Sequence, residues 1–299
     1  MSTEQGYYSN DYCGSLSEFG TQFIGHNSGA GFLRQEFSGS VDYCGQYPFV
    51  CVKSWDEILF DLEDMKKEGG ISAVFVTDPF FEKDVPISLG RLNIARKFKR
   101  HFIVNLDKDL DRKLSGKKRY TVRKASESQK VRIFKGKREY APVFWELYSE
   151  LIRRHNIQGI QRLSEKAIGA QLEVEGAVVV EASTQGRIVG AMIWYIVGDK
   201  AYSHLHAQSA EGYTLHTNFA LYYKMLRYLQ DAGIKYANLG GVPGHEDSKG
   251  NGLAHFKSIW SDEARYSWLC GEILDRVGYE RLTIGLDVNS DNFFPAYRF

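Results

Sequence analysis

Between Gly186 and Leu239 the apolar positions switch period three times, and the elements follow from those switches. Gly186-Arg187-Ile188-Val189-Gly190-Ala191-Met192-Ile193-Trp194-Tyr195 is apolar on both alternating faces. Such a run, bounded by glycine, predicts a strand buried on both sides. Gly198-Asp199 turns the chain and Ala201 to Ala207 returns as a second strand, so the pair reads as a hairpin. Leu215, Phe219, Tyr222, Leu226 and Leu229 then recur at spacings of three and four, the core stripe of a helix expected over Thr214 to Gln230. Gly233 ends that helix, and Lys235 to Leu239 predicts one more short strand before Gly240-Gly241.

The flanking chain carries the same rhythm more weakly. Residues 1–50 read as loops and short strands. Ser54-Trp55-Asp56-Glu57 fits a capping box that would start a helix running to about Lys67. Ile71 to Val76 and Phe102 to Leu106 predict strands, and a basic helix is expected from Asp107 to about Ser126. Val131 to Phe134 is a short strand, and Val143 to His155 a helix. Ser164 caps a short helix to Leu172, and Ala177 to Ala182 enters the central sheet. Ala264 to Leu269 reads as a late strand, and the tail from Asp287 to Phe299 is expected to dock. The alternation of helix and strand places the chain in the α/β class.

With 299 residues the chain has room for one full domain and a partial one, and we divide it into 1–105 and 106–299. No apolar run approaches the roughly 20 residues of a membrane helix, and the polar start Met1 to Asn10 does not read as a signal peptide, so a cytoplasmic location is expected. Cys13, Cys44, Cys51 and Cys270 are scattered, without histidine partners at metal spacing, and predict reduced thiols and no metal. The net charge of +1 conceals a basic block: Arg91 to Arg138 holds 18 Lys and Arg against 4 Asp and Glu. That block implies a local anionic partner.

Candidate chemistry clusters on the returning strand and the glycine-rich exit. By strict alternation Tyr202, His204, His206 and Gln208 share one face, so His204 and His206 are candidates for acid/base work. His206 is the stronger, being nearer the carboxyl end of the strand, where ligands gather in open α/β sheets. Arg119 and Arg123 lie one helical turn apart, a spacing suited to clasping one phosphate or carboxylate. Gly240, Gly241, Gly244, Gly250 and Gly252 mark a close-approach loop, within which His245, Glu246 and Asp247 are expected to face the acceptor.

The order of these elements resembles the GNAT superfamily of N-acyltransferases, and within it the Fem-like branch. The resemblance rests on Ala201-Tyr202-Ser203-His204-Leu205-His206-Ala207, the helix from Thr214, Tyr236-Ala237-Asn238-Leu239-Gly240-Gly241, Gly252-Leu253-Ala254-His255-Phe256-Lys257, the basic segment Lys118 to Ala125, and a fainter echo at Asp42-Tyr43-Cys44-Gly45-Gln46-Tyr47-Pro48. It implies a mixed central sheet flanked by helices, with a smaller, partial GNAT-like amino-terminal domain. It further implies acyl-coenzyme A as co-substrate near Thr217, Asn218 and Lys257, with Tyr43, Arg119, Arg123 and His245 on the acceptor side. The loop Ser209 to Asn218 departs from the superfamily's Arg/Gln-x-x-Gly-x-Gly/Ala signature. The function expected is acyl transfer to an amino sugar, nucleotide-linked, with small-molecule partners and no nucleic acid. The alternatives are an aminoacyl-tRNA donor on the same fold, or a silent nucleic-acid-binding module using residues 91–138.

Overall fold

The computed structural model describes residues 5–80, 88–242, 252–286 and 293–298. Its helices are α1 (Asn10–Gly14), α2 (Ile58–Lys67), α3 (Leu110–Lys113), α4 (Gly116–Glu127), α5 (Ala141–His155), α6 (Glu165–Glu173), α7 (Ala210–Thr214), α8 (Thr217–Asp231), α9 (Gly252–Trp260) and α10 (Arg276–Thr283). Its strands are β1 (Thr21–Ile24), β2 (Gly31–Phe37), β3 (Ser40–Gly45), β4 (Gly70–Val76), β5 (Ile94–Asn105), β6 (Lys130–Lys135), β7 (Ala177–Thr184), β8 (Arg187–Val197), β9 (Lys200–Gln208), β10 (Tyr236–Asn238) and β11 (Glu263–Ile273). None of the described helices is long and apolar enough to cross a membrane.

The chain divides into two compact units. One comprises residues 1–6 and 100–264, the other 7–99 and 265–299. The carboxyl-terminal stretch that the sequence reading gave to 106–299 thus packs with the early chain, because β11 pairs antiparallel with β4 from Leu269↔Val76 to Ile273↔Ser72. The described end of the tail, residues 293–298, docks there: Tyr297 is buried with its hydroxyl bonded to Ser72, and Arg298 clasps Asp42.

In the larger unit the strand order is β5-β10-β9-β8-β7-β6. All neighbours are antiparallel except β9 and β10, which run parallel. Val180, Met192, Trp194, Ala201 and Ala237 on the sheet meet Tyr222, Met225, Leu226 and Leu229 of α8 in one apolar core. The helical stripe read from the sequence is therefore the packed face of α8.

Three expectations change in detail. The basic helix is broken, since Ser115 adopts an extended backbone and its hydroxyl caps α4. The capping box at Ser54 does not form; α2 starts at Ile58 with no side-chain cap. β5 is far longer than expected, because Ala95 to Arg100 interleaves cations with apolar residues and so hides its strand period.

Candidate active site

β9 pairs with β10 only over Lys200, Ala201 and Tyr202, matched to Tyr236, Ala237 and Asn238. Beyond Asn238 the chain turns to β5 instead: Leu239 donates its N–H to Phe102. Among the described residues the carboxyl-terminal half of β9 thus has no ladder on that side, and the two parallel strands part. Gly240 sits at the parting with φ +79, and its N–H donates to the Asn238 side-chain oxygen at 2.8 Å. That φ lies in the left-handed region open to glycine.

Lys257 of α9 fills the space beside this glycine. It is only 8% exposed, its Nζ donates to the Gly241 carbonyl at 2.6 Å, and a Cβ on Gly240 would lie 3.3 Å from that nitrogen. Burial lowers the Lys257 amine to about 7, so near neutrality it exists in both charge states. His206 belongs to the same face of β9. Its ring meets the edge of Tyr222 at 6.0 Å, and its buried Nε2 has no partner among the described residues. Burial, and then the charge of Lys257, lower His206 to about 4, leaving a neutral imidazole. Tyr222, whose hydroxyl bonds Ser203, joins Phe219, Phe256 and Trp260 in an aromatic wall. A primary amine able to take or give a proton, a neutral imidazole and a dry aromatic wall are the parts that proton transfer at an attacking amine requires.

His204 does not join them. The β8–β9 register shifts, pairing Ile193 with Leu205 but Trp194 with Ser203, so His204 is the extra residue of a bulge. Strict alternation therefore fails, and His204 turns to the opposite face with Tyr195, where its Nε2 meets Gln171 of α6 at 2.9 Å. Tyr202, paired with Tyr195, is likewise separated from His206 and Gln208.

The loop leading into α8 also differs from expectation. Ser209 caps the short α7, taking the Gly212 N–H on its hydroxyl and the Tyr213 N–H on its carbonyl. Leu215, His216 and Phe219 donate to Glu211, Tyr213 and His216 in turn. These five amides are spent internally, and the Glu211 carboxylate stands over the loop, paired with Arg187. Thr217 is wholly buried with its hydroxyl on Gln129, and half-buried Asn218 turns its oxygen onto the next N–H.

Residues 112–258 match the family described as an acetyltransferase (GNAT) domain. The match spans 147 of the 299 residues, and that stretch is similar to a GNAT domain. Its solved structural relatives include FemX (14% identical, TM-score 0.62, covering 91% of this chain and 92% of that one). L-PGS from Bacillus licheniformis is similar at 16% identity and TM-score 0.61, over 91% and 90% of the two chains. The C-terminal domain of a putative lysylphosphatidylglycerol synthetase from Agrobacterium fabrum follows at 16% and 0.58, over 87% of each. At these identities the likeness is one of fold. No curated protein sequence matches the chain.

Lys257, His206 and His204 all lie inside the matched GNAT domain; the other expected residues scatter. Arg119 is exposed and turns its guanidinium back to the carbonyls of Asp111 and Leu114, whereas exposed Arg123 stacks on Tyr120 and reaches toward Glu127. The pair does not clasp one site. Tyr43 is a core residue of the other unit, its hydroxyl donating to Glu68, and is not presented to a ligand because its face of β3 is the packed one. His245 lies outside the described residues. Sequence reasoning missed Tyr222 as a site residue, reading it only as helix stripe, and missed Asn238, which braces the Gly240 turn and which no local pattern marks. Among the described residues no group of His, Cys, Asp and Glu could hold a metal ion.

The lowered Lys257 amine makes a stability prediction with a fixed sign. In the unfolded chain the amine keeps its proton to about its ordinary 10.5 and in the folded state to about 7. Between those values the unfolded chain binds the extra proton, so stability rises with pH there. The penalty for burying the charge is full below 7 and gone above 10.5. Lys257→Met should therefore raise the urea midpoint relative to the native protein more at about pH 6 than at about pH 9. A difference that is constant with pH would mean an unshifted amine.

Proposed function

We propose that this protein is an N-acyltransferase that moves an acyl group from acyl-coenzyme A to the amine of an amino sugar carried on a nucleotide. The observation that carries transfer to an amine is Lys257, buried beside the Gly240 turn with the unpartnered His206 Nε2 on the same side of the parting strands. An amine acceptor attacks as a neutral group, and the proton it sheds needs a receiver within a dry site. The GNAT domain, an acetyltransferase family by description, supports a thioester donor. The amino-sugar acceptor is what the resemblance to the small-donor members of the Fem-like branch implies. The cell location proposed is the cytoplasm.

A second reading, an aminoacyl ester on tRNA, is favoured by one observation: the amides before α8 are spent, so a pyrophosphate finds few donors at that loop. The FemX and L-PGS folds agree with it. Against a large polyanion, seven cations of the basic block are paired with acids: Lys108, Arg112, Lys113, Arg123, Arg132, Lys135 and Arg138.

The test is thermal unfolding with and without coenzyme A, followed by thiol release from acetyl-coenzyme A in the presence of nucleotide-linked amino sugars. A ligand at about 100 times its Kd adds about 2.7 kcal/mol, a shift of a few degrees. A shift and amine-dependent thiol release are expected. The absence of both at millimolar coenzyme A would overturn the thioester donor and leave the aminoacyl ester as the reading to pursue.

A further inference from the structure

At the base of the parting between β9 and β10 stands an asparagine with one end of its side chain fixed and the other end unpartnered. Asn238 closes β10, paired with Tyr202 of β9 on one side and with Ile103 of β5 on the other. Its neighbour Ala237 enters the apolar core under α8, so alternation turns Asn238 to the opposite face. The residue is 1% exposed. Its Oδ1 accepts the Gly240 N–H at 2.8 Å and lies 3.2 Å from Nδ1 of His101. A backbone N–H can only donate, so this bond fixes which end of the amide is oxygen; the reversed amide would set two donors against each other. The remaining end is the NH₂ group, and its buried Nδ2 has no partner among the described residues. A buried amide donor without an acceptor is costly, and here it calls for an acceptor brought from outside the chain.

Two side chains from different elements approach the same turn. Lys257 Nζ would lie 3.3 Å from a Cβ on Gly240 and donates to the Gly241 carbonyl, while the Asn238 amide holds the Gly240 N–H. A Cβ on Gly240 would also lie 4.0 Å from the Ser203 carbonyl of β9, so the turn borders the gap where the strands part. That gap opens through the sheet, and a flat acyl group lying in it is reached from both layers. We propose that the Nδ2–H of Asn238 donates to the acyl carbonyl oxygen as it becomes an oxyanion, while the proton of the acceptor amine leaves toward Lys257. The step rests on the N-acyltransferase reading above. The amine nitrogen bonds to the acyl carbon, and the π pair of the carbonyl moves onto the oxygen that Asn238 holds. The surplus amine proton passes to the neutral Lys257 amine. The pair then returns to form the amide carbonyl, and the carbon–sulfur bond breaks, the thiolate leaving with its electrons. A donor already fixed in a water-excluding site favours the charged oxygen over the neutral one without reorganising. An aminoacyl ester presents the same carbonyl oxygen, so the role of Asn238 holds for either donor.

Asn238→Asp keeps an oxygen for the Gly240 N–H and removes the donor, so it separates the two ends of the side chain. With the whole chain, acetyl-coenzyme A and a nucleotide-linked amino sugar as probes, kcat should fall about 10²–10³-fold while the KM for the thioester changes little. The urea midpoint should stay near the native one. Asn238→Leu, which loses both ends, should lose turnover to a similar extent and stability besides. The new carboxylate of Asn238→Asp also acts on the Lys257 amine, so kcat is followed from about pH 6 to about pH 9: a lost donor lowers it throughout, whereas a shifted amine lets turnover recover at one end. A second arm reads the contact itself. In protein labelled with ¹⁵N-asparagine, the Nδ2 hydrogens, assigned by their loss in Asn238→Asp, should shift with acetyl-coenzyme A and not with coenzyme A, which lacks the acyl carbonyl. Near-native turnover in Asn238→Asp, recovery at one end of its pH profile, or Nδ2 hydrogens that answer equally to both ligands would overturn the proposal. If the native protein neither binds coenzyme A nor releases thiol, the thioester reading fails, and the same variants are read on aminoacyl-tRNA. There a fall of about 10²–10³-fold in Asn238→Asp upholds the role of Asn238, and native-like transfer overturns it. A native protein inert toward both donors overturns both.

Discussion

Lys257→Met lowers kcat by about two to four orders of magnitude, the range that a positioned acid or base contributes, while the KM for the donor changes little. The expectation follows from where the amine sits. Its nitrogen is buried at the Gly240 turn, held by the Gly241 carbonyl and lowered by burial to about 7, so its proton is exchangeable at neutral pH. Methionine keeps the volume and removes the nitrogen, so the fold survives and the rate reports chemistry. Lys257→Arg then separates two roles. A guanidinium stays charged, so it cannot receive a proton but can still donate to an oxyanion. A dead Lys257→Arg identifies proton transfer, and an active one identifies charge stabilisation. Native turnover in Lys257→Met would remove Lys257 from the mechanism and leave the buried amine without a role.

The largest expected effect on stability lies in the other unit, at Asp61. This carboxylate is 0% exposed and accepts the backbone and side-chain amides of Asn27 at 2.9 Å each, the backbone amide of Ser28 at 3.0 Å and the Ser28 hydroxyl at 2.5 Å. It therefore ties α2 to the turn between β1 and β2. Asp61→Ala strands four donors at once, and hydrogen bonds to a charged acceptor are each worth about 1.5–3 kcal/mol, so a loss of about 3–5 kcal/mol is expected after relaxation and water entry. Gly25→Ala should act in the same direction, since a Cβ there would run into the Asp61 carboxylate. Urea unfolding followed through the tryptophans reads both variants. An Asp61→Ala midpoint close to that of the native protein would mean that water replaces the carboxylate without cost.

Much of the fold was legible because local periodicity reports local structure. The stripe of α8, the two-faced apolar run of β8 and the serine cap of α6 were each read from neighbours within a few residues, and each stands. Lys257 was singled out only as a donor contact, through the resemblance that pairs it with Phe256; the acid/base role proposed for it comes from its burial beside Gly240. The basic block was equally visible, yet its meaning was not. Glu181, Glu175, Glu173 and Asp262 pair with five of its cations, Arg132, Lys135, Arg138, Lys108 and Lys113, and these acids lie far along the chain, so the charge run alone overstated the unpaired surface.

By itself, the sequence determined the α/β class and the order of strands and helices from Ala177 to Asn238, and it offered His204 and His206 as acid/base candidates. The tertiary structure alone decided which of them meet. A one-residue register shift against β8 sends His204 and His206 to opposite faces, because side chains alternate with a period of two and one extra residue reverses that alternation. Burial alone moves Lys257 to about 7, because desolvation depends on every group packed around the amine and on no feature of its neighbours in sequence.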